Sequence, residues 1–272
     1  MLGVYFSFYT QFSMHTDLSN PQPGPKEPAI ITVTGQIYSF RLLARLLCLL
    51  CLSCCVWGCT RQTDALPPPT GAGAKSYLAL GDSYTIGQGV AETERFPYLS
   101  AQWLTTQGIN MKSPTYIATT GWTTGNLLNA IATAKPPEGF DVVSLLIGVN
   151  NQFQGGDTGI YRQEFTRCLQ EAIRLAGGKT ARVFVLSIPD YSCTPYGRRF
   201  DSARVSAGVN RFNAINQQVV TQYGIEYINI TPGSREAAID PGLVAADGLH
   251  PSGREYDKWA ALLAPAMAKV LK

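Results

Sequence analysis

Histidine is nearly missing from this 272-residue chain, which holds only His15 and His250. Any histidine base or ligand in the body of the chain must therefore be His250. Cysteine is scarce there too: Cys48, Cys51, Cys54, Cys55 and Cys59 crowd one apolar segment, and only Cys168 and Cys193 follow it. One histidine and two scattered thiols cannot close a zinc site, and no cluster of carboxylates offers a magnesium site. This cysteine distribution does not suit a disulfide framework. Cys168 falls with Phe165, Leu169, Ala172 and Ile173 on the apolar face of an expected helix, so a buried free thiol is expected, with a bridge to Cys193 as the other reading. Charge is thin, at 15% of residues and net +3. No run of Lys or Arg gives an electrostatic footprint for nucleic acid. No Gly-rich phosphate loop of the Walker type is present, and no cofactor is expected.

Long apolar runs are missing as well. The uncharged stretch from Leu46 to Gly58 is shorter than the roughly 20 residues of a membrane-spanning helix. Arg41 and Arg45 precede it, as in the basic and apolar regions of a signal peptide. Val56-Trp57-Gly58-Cys59 resembles a bacterial lipobox, although Trp57 is bulky for that pattern and Cys54 is a rival. The expectation is an upstream extension plus lipoprotein-type signal peptide over 1–58, with lipid attachment at Cys59. The protein is then exported and held on a bacterial membrane, periplasmic or at the cell surface, by its lipid anchor. Residues 1–40 carry Pro21, Pro23, Pro25 and Pro28 without usable periodicity, and a translation start later than Met1 is expected. Pro67-Pro68-Pro69 and Gly71-Ala72-Gly73 mark 59–75 as a semi-stiff tether. The folded domain is expected over 76–272, a length that can bury a sizeable core.

Within it, apolar strand-like runs alternate with helical patterns. The strands are expected at Tyr77–Leu80, Tyr116–Ala118, Val142–Ile147, Val183–Ile188 and Ile225–Ile230. The helices are expected at Tyr98–Thr106, Asn126–Ala134, Tyr161–Ala176, Val205–Tyr223 and Tyr256–Leu271. Such alternation predicts an α/β fold with a parallel sheet covered on both faces, and ligands of such sheets bind beyond the carboxyl ends of the strands.

Polar, glycine-bearing segments follow those strands. They are Gly81-Asp82-Ser83, Gly121-Trp122-Thr123-Thr124-Gly125, Gly148-Val149-Asn150-Asn151 and Pro189-Asp190-Tyr191. All should emerge on one edge. A serine hydroxyl is a poor nucleophile until a base takes its proton. Ser83 stands at a strand-to-turn junction, His250 could take that proton, and Asp247 three residues earlier could hold the other ring nitrogen. An oxyanion formed by attack needs preplaced donors, for which the Ser83 and Gly121 N–H groups and the Asn150 amide are suited. Taken singly, each piece has a plainer reading: a turn after a strand, a structural histidine, a glycine for positive φ. Their order is what favours one site.

That order resembles the SGNH, or GDSL-type, esterase and lipase (acylhydrolase) family. Gly81-Asp82-Ser83, Gly121, Gly148-x-Asn150 and Asp247-x-x-His250 match its first, second, third and fifth blocks. The resemblance covers 76–272 and implies a flavodoxin-like three-layer α/β/α sandwich with a five-stranded parallel sheet. It implies a triad of Ser83, Asp247 and His250 and an oxyanion hole of Ser83, Gly121 and Asn150. Two positions depart from the family pattern: Thr123 stands where many members have Ser, and Asn151 where many have Asp. Both are expected to bear on how the oxyanion loops are held.

Trp122, Asn151, Phe153 and Tyr191 are the candidate substrate-binding residues, with Tyr196 on the same rim. No long apolar lid is visible. The expected activity is hydrolysis of short-chain acyl esters, small molecules or glycans, with O-acetylated carbohydrate as a plausible substrate. A thioesterase or lysophospholipase is the alternative within that class. A non-catalytic glycan-binding lipoprotein is the alternative outside it.

Overall fold

The computed structural model describes residues 73–272. The signal-type segment, Cys59 and the tether up to residue 72 lie outside the described residues.

Five parallel strands form one sheet: β1 (Tyr77–Gly81), β2 (Thr115–Ala118), β3 (Val142–Leu146), β4 (Val183–Leu186) and β5 (Glu226–Ile228), in the order β2-β1-β3-β4-β5. The expected α/β sandwich is thus the observed one. The central strands β1, β3 and β4 are buried along their whole length, which is why they read as unbroken apolar runs. The edge strands β2 and β5 are partly exposed, and their sequence signals are correspondingly weaker. Strands three to five end earlier than their apolar runs. Ile147, Ile188 and Ile230 stay buried but belong to the loops above the sheet edge.

Five long helices cover the sheet: α2 (Phe96–Thr106), α3 (Thr124–Ala134), α5 (Thr158–Leu175), α6 (Ser202–Gln222) and α8 (Gly253–Leu271). Several begin earlier than their apolar periodicity suggests, because polar caps start them. Asp157 accepts from the Gly159 and Ile160 N–H groups, and Asp201 accepts from Arg204 N–H. Phe96 of α2 lies against Tyr256 and Trp259 of α8, with ring centroids 6.2 and 6.0 Å apart. On the face shared by α5 and α6, Tyr161 meets Phe212 at 4.4 Å. Right-handed crossovers explain this division. The chain leaves β1 toward β2 by way of α2, then reverses direction to reach β3, β4 and β5.

That reversal opens a crevice beyond the carboxyl ends of β1 and β3, the place where such sheets bind ligands. Three short helices, none expected from periodicity, sit near this edge: α1 (Ser83–Ile86), α4 (Val149–Phe153) and α7 (Thr231–Ser234). Cys168 is a buried free thiol and Cys193 is also free, so no bridge joins them. Burial pushes the Cys168 thiol well above its ordinary range. Among the described residues, no helix is long and apolar enough to cross a membrane, and no metal-binding cluster of His, Cys, Asp or Glu is found.

Candidate active site

Ser83 owes its position to the two residues before it. Gly81 pairs with Leu146 of β3, and a Cβ there would collide with the Leu146 carbonyl and the Thr85 hydroxyl. Asp82 then caps α1, its carboxylate accepting from Tyr84 N–H at 3.0 Å. The chain turns from strand into helix within two residues, leaving Ser83 at the first helical position. Asp82 is fully buried and its second carboxyl oxygen has no partner. Burial raises its pKa from 3.8 to about 7, despite the opposing backbone hydrogen bond from Tyr84.

Asp247 and His250 form a self-contained unit. One Asp247 oxygen accepts from the Leu249 and His250 backbone N–H groups, both at 2.9 Å. The other lies 2.6 Å from His250 Nδ1. Burial opposes the Asp247 charge, but these hydrogen bonds outweigh it and hold the carboxyl below its ordinary range. The carboxylate therefore fixes the ring and favours the tautomer with the proton on Nδ1, which turns the Nε2 lone pair outward. His250 is buried, and the Tyr84 ring lies 5.4 Å from it, centroid to centroid.

Ser83 and His250 line one cleft of about 220 Å³ together with Gly121, Asn150, Tyr84, Gln88, Thr120, Phe153, Tyr191 and Tyr196. No hydrogen bond joins the Ser83 hydroxyl to the His250 ring in this structure, and such bonds often tighten only once substrate is bound. Three donors belong to residues that line the same cleft. The Ser83 and Gly121 backbone N–H groups have no acceptor among the described residues. Asn150 Nδ2 spends one of its two hydrogens on the Trp122 carbonyl, at 3.0 Å, and keeps the other. Gly121 has φ +80 with open space where a Cβ would stand, so glycine serves the backbone conformation there. Gly148, at φ +125, caps α4, and a Cβ on it would strike the Tyr161 hydroxyl and Ile188.

Two of the four expected substrate contacts are not where the sequence suggested. Asn151 does not line the cleft. Its Oδ1 accepts from Thr124 N–H at 3.0 Å, and its Nδ2 donates to Thr124 Oγ1 at 2.8 Å. Trp122 also leaves the cleft lining and contributes its carbonyl to Asn150 instead. Phe153 and Tyr191 do line it, as does Tyr196.

Both positions that depart from the family pattern have a local role, and at Asn151 that role requires the residue found. The Thr123 hydroxyl caps α3 through a reciprocal box with Asn126. Thr124 donates its hydroxyl proton to Glu164, so the residue facing that hydroxyl must be a donor. An amide meets this need and a carboxylate does not.

Asp190 has no catalytic opening. Its carboxylate is engaged by Ser206 Oγ at 2.6 Å, Arg235 Nε at 3.0 Å and Ser192 N–H at 3.1 Å. It anchors the loop that carries Tyr191. Gln88 and Thr120 escaped the sequence reading. They hydrogen-bond to each other across the cleft wall at 2.5 Å. The available signal was the bracket Gly87-Gln88-Gly89, in which both glycines take positive φ, marking a shaped loop.

A family model described as the GDSL-like lipase/acylhydrolase family matches residues 79–258. No curated protein matches the chain. Among solved structures, the chain is similar to TesA, at 19% identity over 72% of this chain and 99% of that one, with a TM-score of 0.57. A lipase/acylhydrolase from Enterococcus faecalis is 20% identical over 72% of this chain and 96% of its own, with a TM-score of 0.52. The psychrotrophic esterase EstA from Pseudoalteromonas sp., in a structure inhibited by monoethylphosphonate, is 16% identical over 72% and 97%, also at 0.52. At such identities these neighbours establish the fold.

Proposed function

The chain belongs to the GDSL-like lipase/acylhydrolase family, and from that premise we propose that it is a serine ester hydrolase working through an acyl-enzyme at Ser83. The observation that carries this reading is the Asp247–His250 unit, held at 2.6 Å and lining one cleft with Ser83 and with residues that keep three unspent donor hydrogens. In the proposed cycle, Ser83 Oγ attacks the acyl carbon while its proton passes to His250 Nε2. The oxyanion accepts hydrogen bonds from the Ser83 and Gly121 N–H groups and the spare Asn150 hydrogen. As the tetrahedral species collapses, the bond to the alcohol breaks and His250 returns the proton to the leaving oxygen. Water then attacks the acyl-serine by the same route, releasing the carboxylic acid and regenerating Ser83. The Asp247 charge stabilises the imidazolium in both halves.

A cleft of about 220 Å³ has room for a short acyl group such as acetyl together with part of the alcohol it is joined to. Its wall of Phe153, Tyr191 and Tyr196 suits a sugar face, which supports an O-acetylated carbohydrate as substrate. The direct test is hydrolysis of p-nitrophenyl acetate. Turnover is expected in the wild type and should fall by about 10⁴-fold or more in Ser83→Ala. A correctly folded wild type without turnover would leave a binding protein as the better description.

A further inference from the structure

A second groove, of about 560 Å³, adjoins the catalytic cleft, and Phe153 and Tyr191 form the wall common to both. Its floor is α6. Arg204 and Arg211 stand seven residues apart on that helix, two turns and roughly 10 Å along one face, and both line the groove. Between them lies Gly208. Glycine inside a helix is unfavourable, but here a Cβ would run into the Gln152 side chain. The missing side chain lets Gln152 lie over the helix and accept a hydrogen bond from Tyr191 Oη at 2.9 Å. The glycine thus seats Gln152 against α6 between the two arginines and fixes the wall that carries Tyr191.

The charges in this trough are unspent. Neither the Arg204 nor the Arg211 guanidinium has an ion pair or hydrogen bond to another protein group among the described residues. The one carboxylate in the lining, Asp201, already accepts from the backbone N–H of Arg204 as the cap of α6. Phe153 and Phe200, 48% and 44% exposed, meet edge to face at 5.8 Å and give the groove an apolar wall beside its cations. Both arginines are exposed, in a groove that shares the Phe153 and Tyr191 wall with the reaction cleft.

We infer that this groove is a subsite for an anionic portion of the substrate, carboxylate or phosphate, attached to an ester whose acyl carbon sits at Ser83. The inference rests on the ester-hydrolase reading for what occupies the first cleft, while the groove itself is tested by binding. Two sources share the chemistry, an acidic glycan and a phosphorylated lipid. They are separated by two matched pairs: acetylated oligogalacturonate against acetylated neutral oligogalactan, and acetyl glycerol phosphate against acetyl glycerol. Titration calorimetry with the full-length Ser83→Ala variant measures affinity without turnover. The charged member of at least one pair should bind about tenfold more tightly than its neutral partner, and the pair that shows this identifies the source. Adding Arg204→Gln and Arg211→Gln should bring that ratio to about one, and raising the salt concentration should weaken it. Equal affinity within both pairs, or a preference that survives the double substitution, would overturn the subsite. Failure of the hydrolase reading has a different signature: the wild type binds the charged member preferentially but hydrolyses no ester.

Discussion

Asp82 stands beside the proposed nucleophile yet does a different job. It caps α1 with one oxygen and buries the other without a partner, which raises its pKa to about 7. A folded-state value above the ordinary 3.8 means that the native protein holds this proton longer than the unfolded chain does. Its contribution to stability is therefore greatest below about pH 4 and is lost as pH rises to about 7. An asparagine keeps the cap acceptor and has no charge to bury. Asp82→Asn should accordingly flatten the decline in stability between pH 4 and 7, as measured by urea unfolding across that range; an unchanged slope would place the titration elsewhere. In the sequence Asp82 stands only as the middle of the Gly81-Asp82-Ser83 turn. Its buried, half-satisfied state could not be read, since that depends on side chains far along the chain.

The loops at the strand ends behave as elements, and their coupling explains where sequence reasoning lost its way. Trp122 and Asn151 flank the oxyanion donors in sequence, so both looked like cleft residues. Adjacency in the chain does not fix the direction of a side chain, and both are used to tie the second and third loops together. The four-residue α1 and five-residue α4 were equally illegible, because no period develops in so short a stretch. The long helices and central strands were legible from their burial patterns. The Asn151–Thr124–Glu164 arrangement yields a specific expectation. Asn151→Ala removes both bonds to Thr124 and should lower kcat by about tenfold with little change in KM, because the loop carrying the Gly121 donor loosens. Asn151→Asp should be at least as harmful, since it opposes two acceptors beside Glu164. Adding Glu164→Gln should restore part of the loss in p-nitrophenyl acetate kinetics; no recovery would contradict the donor–acceptor assignment.

At the scale of the molecule, the strand order β2-β1-β3-β4-β5 brings the Ser83, Gly121 and Asn150 loops to a single edge, and the turn before α8 delivers Asp247 and His250 to the same place. That convergence is legible in the sequence, because the polar, glycine-bearing segments directly follow the apolar strand runs, and the family resemblance adds the role of each residue. Attachment to a membrane through Cys59 remains a proposal from the lipobox-like Val56-Trp57-Gly58-Cys59. On that proposal the mature chain begins at an acylated Cys59, and Cys59→Ser shifts it from the membrane fraction to the soluble one; an unmodified Cys59 in the mature protein would contradict it. The central claim, that Ser83 is the nucleophile activated by His250, is tested most directly by a phosphonate ester that mimics the tetrahedral species. Peptide mapping of the inhibited protein should find a single adduct, on Ser83, formed in step with loss of esterase activity and absent from His250→Ala. Complete inhibition with Ser83 unmodified and the adduct on another residue would contradict the account.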